Sequence, residues 1–149
     1  MSEVAIAKRA TDLKREIGLR MNVLSRRMRN RFDRQVSEHN VTRSQWTMIV
    51  VVARNPGATQ RVIAEALEMS EASAGRLIDR LCADGLLERQ ERYDDRRARA
   101  VYLTKAAEPL LAKLAEIAGE SEKSMFRGFS PDELETLSSY LDRITKNIC

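Results

Sequence analysis

Apolar side chains recur at intervals of three or four residues over most of the chain, a periodicity that predicts a mainly helical protein. A first helix is predicted over about residues 7–37. Its apolar positions are Leu13, Ile17, Met21, Leu24, Met28 and Phe32. A last helix follows Ser130-Pro131-Asp132-Glu133, a start signal made of a cap, a proline and acidic residues. Its apolar positions are Leu134, Leu137, Leu141, Ile144 and Ile148. Both stripes are typical of helices that pack against another helix.

Shorter elements fill the middle of the chain. The expected caps of the second to fifth helices are Thr42 or Ser44, Thr59, Ser70 and Thr104. Gly85 is placed to end the fourth helix in a left-handed conformation. The period then changes to two over residues 87–93 and 99–103, which predicts a β-hairpin with a charged tip at residues 93–98. A short helix, a turn, a second helix and a hairpin in this order predict a winged helix-turn-helix.

The length of the chain favours one domain over residues 1–149. We expect residues 42–104 to form the winged helix-turn-helix lobe, and residues 7–40 and 105–149 to form a helical dimerisation region. One protomer offers too little core to cover both apolar stripes, so a monomer would expose a large apolar patch. The alternative is that both stripes pack within one chain. The predicted fold is therefore mainly α with a small β-hairpin wing, and the predicted assembly is a homodimer.

Positive charge is concentrated at the start of the chain. Residues 1–45 hold 11 Lys and Arg against 5 Asp and Glu, whereas residues 59–104 hold 8 against 9. The predicted helix-turn-helix lobe is therefore not basic overall, although the whole chain has a net charge of +4. Any affinity of the lobe for nucleic acid must come from individual arginines in suitable places.

The second helix of the helix-turn-helix is expected to present its outer face to the major groove of DNA. Small residues near its start, among them Ala72, would let that end approach base edges, and Arg76 can reach a guanine with two hydrogen bonds. Arg80 follows on the same outer face. The polar side chains suited to phosphates, helped by helix N-termini, are Thr59, Gln60, Ser70 and Ser73.

The charged tip of the predicted hairpin supplies a second set of candidates. Arg97 would enter a narrow minor groove, Asp95 would hold that side chain in place, and Arg96 and Arg99 would meet phosphates. A helix-turn-helix pattern alone also fits an ordinary helical pair, and a charged tip is often only solvated. The two features together, flanked by long helices, favour binding to double-stranded DNA.

Other classes of protein find little support in the sequence. The longest uncharged apolar stretch, residues 48–53, is too short to span a membrane, and charges interrupt the N-terminus, so a cytoplasmic location is expected. Cys82, Cys149 and the single His39 form no metal-ligand motif. Cys82 is interpreted as a small buried hydrophobe, with redox sensing as the alternative. The sequence contains no glycine-rich phosphate loop and no credible catalytic triad, so we expect no enzymatic activity, metal or cofactor.

Several short segments resemble the MarR regulators, and within them the SlyA-like branch. The most specific is Asp95-Arg96-Arg97-Ala98 followed by Leu103-Thr104, which resembles the family's wing motif and the end of its second wing strand. Ala107-Glu108-Pro109-Leu110 and Ser130-Pro131-Asp132-Glu133-Leu134-Glu135 are similar to the SlyA-like branch. The resemblance covers nearly the whole chain.

This resemblance implies a homodimer in which the first and the last two helices intertwine, with one winged helix from each protomer. It implies a pseudo-palindromic DNA site, with Arg97 in the minor groove and Ser73 and Arg76 near bases. It also implies release from DNA by a small aromatic acid. The matching positions that would line the acid's site are Arg26, Arg29, Trp46 and Arg76, together with Val50, where relatives often have histidine. The valine leaves the identity of the ligand open.

An architectural protein that binds DNA or counteracts silencing without any ligand is the alternative function. Titration with aromatic carboxylates separates the two, since an architectural protein would keep its DNA affinity.

Overall fold

The computed structural model describes residues 2–91 and 98–149. In these residues the helices are α1 (Glu3–Ser37), α2 (Arg43–Arg54), α3 (Gln60–Ala66), α4 (Glu71–Ala83), α5 (Glu108–Met125) and α6 (Pro131–Ile148), and a short 3₁₀ helix covers Lys105–Ala107. The strands are β1 (Ala58–Thr59), β2 (Leu87–Glu91) and β3 (Arg99–Leu103). The chain divides into two compact units, Met1–Ile117 and Ala118–Cys149. The predicted mainly helical fold with a small β element is confirmed.

Most helix starts coincide with the predicted caps. Thr42 accepts from the Gln45 amide, and the Gln45 side chain accepts from the Thr42 amide, so Thr42 rather than Ser44 caps α2. Thr59 caps α3 and Ser70 caps α4 in the same way, through the amide three residues along. The first helix begins at Glu3, earlier than predicted, because Ser2 caps it and the apolar stripe does not reach its first turns.

The prediction that Thr104 caps the fifth helix is wrong. Its hydroxyl makes no cap bond and instead donates to the carbonyl oxygen of Gly85 at 2.6 Å. The chain passes through the 3₁₀ helix before α5 begins at Glu108. Gly85 has φ +77°, so the predicted left-handed residue after α4 is confirmed. Thr104 therefore ties the end of the sheet to the end of α4.

The sheet contains one strand that the sequence pattern missed. Among the described residues the strands lie in the antiparallel order β1-β3-β2, with Ala58 opposite Val101 and Leu87 opposite Leu103. On β3 the neighbouring residues Ala100 and Val101 are both buried, at 5% and 1% exposure, although successive side chains of a strand point to opposite faces of the sheet. The simple alternation expected for a two-stranded hairpin therefore fails on β3, since both of its faces are covered.

Two apolar clusters hold the first unit together. One joins α2, α3, α4 and the sheet through Met48, Val52, Ile63, Ile78, Leu81, Leu87 and Val101. The other joins α1, α2 and α5 around Val36, Val41, Ile49 and Leu114, with Phe32 and Trp46 against them. The helix-turn-helix and the sheet therefore share one core.

Apart from Phe32, the apolar stripes of the first and last helices lie outside these clusters. On α1 the exposed members are Leu13, Ile17, Met21, Leu24 and Met28, and Val36 is the helix's buried residue. On α6, all of which the structure describes, no residue is buried, and Leu137, Leu141 and Ile148 are exposed. In the described residues no helix is both long and apolar enough to cross a membrane.

Candidate nucleic-acid interface

Helices α3 and α4 form the two arms of the helix-turn-helix. Ile63 and Ala64 of α3 are buried, and so are Ala74, Gly75, Ile78 and Leu81 of α4. The opposite face of α4 is open: Glu71, Ala72, Arg76, Asp79 and Arg80 are exposed, and Ser73 is half-buried. The face predicted to enter the major groove is thus the one that packing of the core leaves exposed.

Three of the predicted DNA-binding residues form a chain of hydrogen bonds at the start of α4. The Ser70 hydroxyl accepts from the Ser73 amide at 3.1 Å and donates to the Ser73 hydroxyl at 2.9 Å. The Arg76 guanidinium donates from Nη2 to the same Ser73 hydroxyl at 3.2 Å. Arg76 is therefore directed toward the N-terminal end of α4 while it remains exposed.

Thr59 and Gln60 are engaged in helix packing. The Thr59 hydroxyl accepts from the Val62 amide at 3.4 Å. The Gln60 amide donates from Nε2 to the carbonyl oxygen of Glu71 at 3.0 Å, and its Oε1 accepts from Arg89 at 3.4 Å. In this conformation Gln60 fastens the start of α3 to the first turn of α4. Its predicted phosphate contact stays a prediction.

An ion pair between β2 and α4 was not predicted. Arg89 of β2 donates from Nη1 to Oδ1 of Asp79 at 2.5 Å. The Arg89 side chain is only 22% exposed, whereas that of Asp79 is 67% exposed. No sequence spacing signals such a contact, because the strand and the helix approach each other only through the shared core.

The wing candidates divide into two groups. Asp95, Arg96 and Arg97 lie outside the described residues. Arg99, the first residue of β3, is exposed and stands opposite Glu91 of β2 in the sheet register. Arg99 is therefore placed where β3 begins.

The residues predicted to bind an acid ligand come from three helices. Arg26 and Arg29 are exposed on α1, and Trp46 and Val50 are half-buried on α2. Arg76, the remaining member, lies on α4 with Ser73 as its hydrogen-bond partner.

Asp33 of α1 joins α1 to α2 through Trp46, a member of this set, and through Arg43. Its Oδ1 accepts from the Trp46 indole at 2.8 Å, and its Oδ2 accepts from Nε of Arg43 at 2.6 Å. The Arg43 hydrogen bond holds the pKa of Asp33 below its ordinary value, with help from Trp46 and the charge of Arg29, although burial opposes the shift. The Trp46 ring meets Phe32 edge-on, with centroids 4.8 Å apart. An ionised carboxylate therefore lies beside the predicted ligand residues.

Cys82 is half-buried on α4, and burial is the main cause that raises the pKa of its thiol. A raised pKa lowers the fraction of reactive thiolate at neutral pH. This environment supports the structural interpretation of Cys82. Within residues 2–91 and 98–149, no three His, Cys, Asp or Glu side chains are grouped so that they could hold a metal ion.

A sequence model of the MarR family matches residues 39–98, which contain α2, α3, α4 and β2. Over these residues the chain is similar to the MarR family. MarR-family proteins are transcription regulators rather than enzymes, so the match indicates regulation of transcription through DNA binding.

Solved structures agree with this assignment. The transcriptional regulator PA3341 is 28% identical, with a TM-score of 0.80, and the match covers 89% of this chain and 97% of that chain. The transcriptional regulator SlyA is 29% identical, with a TM-score of 0.73 and coverage of 92% and 94%. A MarR transcriptional regulator from Methanosarcina mazei Go1 is 22% identical at a TM-score of 0.76, over 89% of this chain and 96% of that one, and shows the shared fold.

Proposed function

We propose that this protein is a SlyA-like homodimer of the MarR family that binds a pseudo-palindromic site in double-stranded DNA and is released by a small aromatic acid. The observation that carries the proposal is the open face of α4, where Ser73 holds the exposed Arg76 at the N-terminal end of the helix. This end carries the positive pole of the helix dipole and small side chains, so it suits close approach to DNA.

Each protomer would bind DNA with two elements. Arg76, Ser73 and Ala72 would face base edges in the major groove, while Thr59, Gln60, Ser70 and Arg80 would lie along phosphates. Arg97 would enter the minor groove beside Asp95, with Arg96 and Arg99 on the backbone. A dimer doubles this small set of contacts, which suits a lobe without a net positive charge.

The exposed apolar stripes support a dimer. On α1 the stripe from Leu13 to Met28 runs along ~23 Å of helix, and its members are 37–56% exposed in the single chain. The α6 stripe is exposed as well. Regular apolar stripes on helices are stable in water only when another helix covers them. We assign that role to residues 7–40 and 105–149 of a second copy.

A ligand acid would bind near Asp33. Arg26, Arg29, Trp46, Val50 and Arg76 would line the site, with Trp46 and Phe32 supplying aromatic surface. Arg43 and the Trp46 indole already donate hydrogen bonds to the Asp33 carboxylate. An incoming carboxylate would therefore compete with Asp33 for these donors, and such competition would couple binding to the packing of α1 on α2.

Selection of bound fragments from random double-stranded DNA tests the proposal. We expect enrichment of an inverted repeat, and an equal affinity for all fragments would contradict it. Arg76→Ala should reduce the ratio of operator to random affinity, whereas Arg127→Ala, which removes an exposed arginine of the 118–149 unit, should leave that ratio unchanged. An equal loss on both kinds of DNA would make Arg76 a phosphate contact.

Titration with aromatic carboxylates tests the release step. The expected result is a fall in operator affinity at ligand concentrations below about millimolar. DNA affinity that stays constant over this range would favour the ligand-independent architectural function.

A further inference from the structure

Three elements of the DNA-binding lobe meet at one side chain. Arg89 extends from β2, donates to Asp79 of α4 at 2.5 Å, and donates to the Gln60 side chain at the start of α3 at 3.4 Å. Gln60 in turn donates to the carbonyl oxygen of Glu71, the first residue of α4. The guanidinium thus connects the strand that leads into the wing with both arms of the helix-turn-helix.

The backbone of α4 is shaped to accept this arrangement. A Cβ at Gly75 would lie 2.7 Å from Nε2 of Gln60, which is closer than a carbon and a nitrogen can approach. The glycine lets the Gln60 amide lie directly against α4 and reach the Glu71 carbonyl. The same amide presents its oxygen to Arg89, so the position of α3 on α4 and the position of β2 are set together.

The exposed fractions of the Arg89 and Asp79 side chains indicate that their ion pair positions β2 on α4 rather than stabilising the fold. Asp79 is largely exposed, so its ion pair with Arg89 contributes little to stability. The sheet has its own hydrogen bonds, with Arg89 opposite Val101, and Leu87 and Val101 anchor it in the core. Loss of Arg89 would therefore leave the lobe folded and remove a link between β2 and α4.

We propose that Arg89 is a positioning residue that fixes the wing strand to the recognition helix α4, so that the two DNA-binding elements act as one rigid unit. The proposal rests on the DNA contacts described under the proposed function. Without this link the wing strand and α4 would still share the core but would be held less firmly relative to each other, so more entropy would be lost in aligning them on each binding event. Asp79 and Gln60 act in the same way, as the partners that receive the guanidinium.

A double-mutant cycle tests the link. We would measure affinity for operator and random DNA at several salt concentrations for Arg89→Met, Asp79→Asn and the double variant. Lys113→Met is the matched control, because it removes one positive charge and an ion pair with Glu116 on α5, away from the helix-turn-helix. Thermal unfolding would show that each variant is folded.

We expect each single variant to lose about tenfold in operator affinity, and the double variant to lose no more than either one, because both break the same contact. Random-DNA affinity and the salt dependence of Asp79→Asn should remain as in the wild type. Losses of operator affinity that add up in the double variant would overturn the inference. So would a weaker salt dependence of binding in Arg89→Met together with unchanged operator affinity in Asp79→Asn, because Arg89 would then be a phosphate contact.

A measurement without DNA separates this inference from the proposed function. Amide hydrogen exchange in β2 and in the first turn of α4 should be faster in Arg89→Met and unchanged in Lys113→Met. Unchanged exchange in Arg89→Met would overturn the inference even if the wild type selects an operator. A wild type that selects no operator would instead overturn the proposed function, whatever the exchange data show.

Discussion

The Trp46 indole and the Asp33 carboxylate are joined by a hydrogen bond of 2.8 Å between α2 and α1. Arg43 binds the other oxygen of the same carboxylate, and the pKa of Asp33 is lowered as a result. These two contacts fasten the long first helix to the helix that begins the DNA-binding lobe. A polar junction of this kind responds to pH and to competing anions.

Asp33→Asn is expected to destabilise the protein at neutral pH. Because the folded-state pKa of Asp33 is lowered, its contribution to stability is present above the unfolded pKa, roughly 4, and is lost as the pH falls through the folded pKa. The melting temperature of the variant should be roughly 2–4 °C lower at pH 7, with a smaller difference near pH 3. Thermal unfolding followed by circular dichroism at both pH values measures this. A difference that does not shrink in acid would exclude an electrostatic role.

Gly75→Ala should show a coupling with Gln60. Alanine favours a helix interior by about 1 kcal/mol over glycine, but the new Cβ would displace the Gln60 amide from the Glu71 carbonyl. We expect little or no gain in stability in the wild type. In the Gln60→Ala background, where the obstacle is gone, the gain should approach about 1 kcal/mol. Urea unfolding of the four proteins measures it, and equal effects in both backgrounds would refute the coupling.

Leu141→Glu is expected to dissociate the proposed dimer, because it places a charge in the apolar stripe of α6. Ser139→Glu is the control: it lies two residues away, about 200° around the helix, and should leave the assembly intact. Sedimentation velocity measures both. A wild type that sediments as a monomer would contradict the dimer itself.

Arg97→Ala should weaken operator binding by ~1–3 kcal/mol, the loss of one specific contact. Lys123→Ala, which removes an exposed positive charge from α5, should have no such effect. Band-shift titrations at one fixed salt concentration would compare the two. Equal affinities of Arg97→Ala and the wild type would reject the role assigned to the wing arginine.

The helices and their starts were predictable because their signals are local. The hydroxyls of Thr42, Ser70 and Ser130 each accept from the backbone amide three residues along the chain. The cap and its partner are therefore neighbours in the sequence, and no distant segment is needed to bring them together. The apolar spacing of three and four residues likewise reports which face of a helix is apolar. The predicted recognition face of α4, with Arg76 exposed, followed from this spacing alone.

The contacts between elements could not be predicted in the same way. The two-residue strand β1 exists only because β3, about 40 residues later, pairs with it. Thr104 has the sequence context of a cap, but packing offers its hydroxyl the Gly85 carbonyl instead. The sequence by itself thus determined the helices, most of their caps and the arginines available for DNA. The tertiary structure decided that Asp33 receives Arg43 and that Asp79 receives Arg89, because a charged side chain finds its partner only after the core has brought distant segments together.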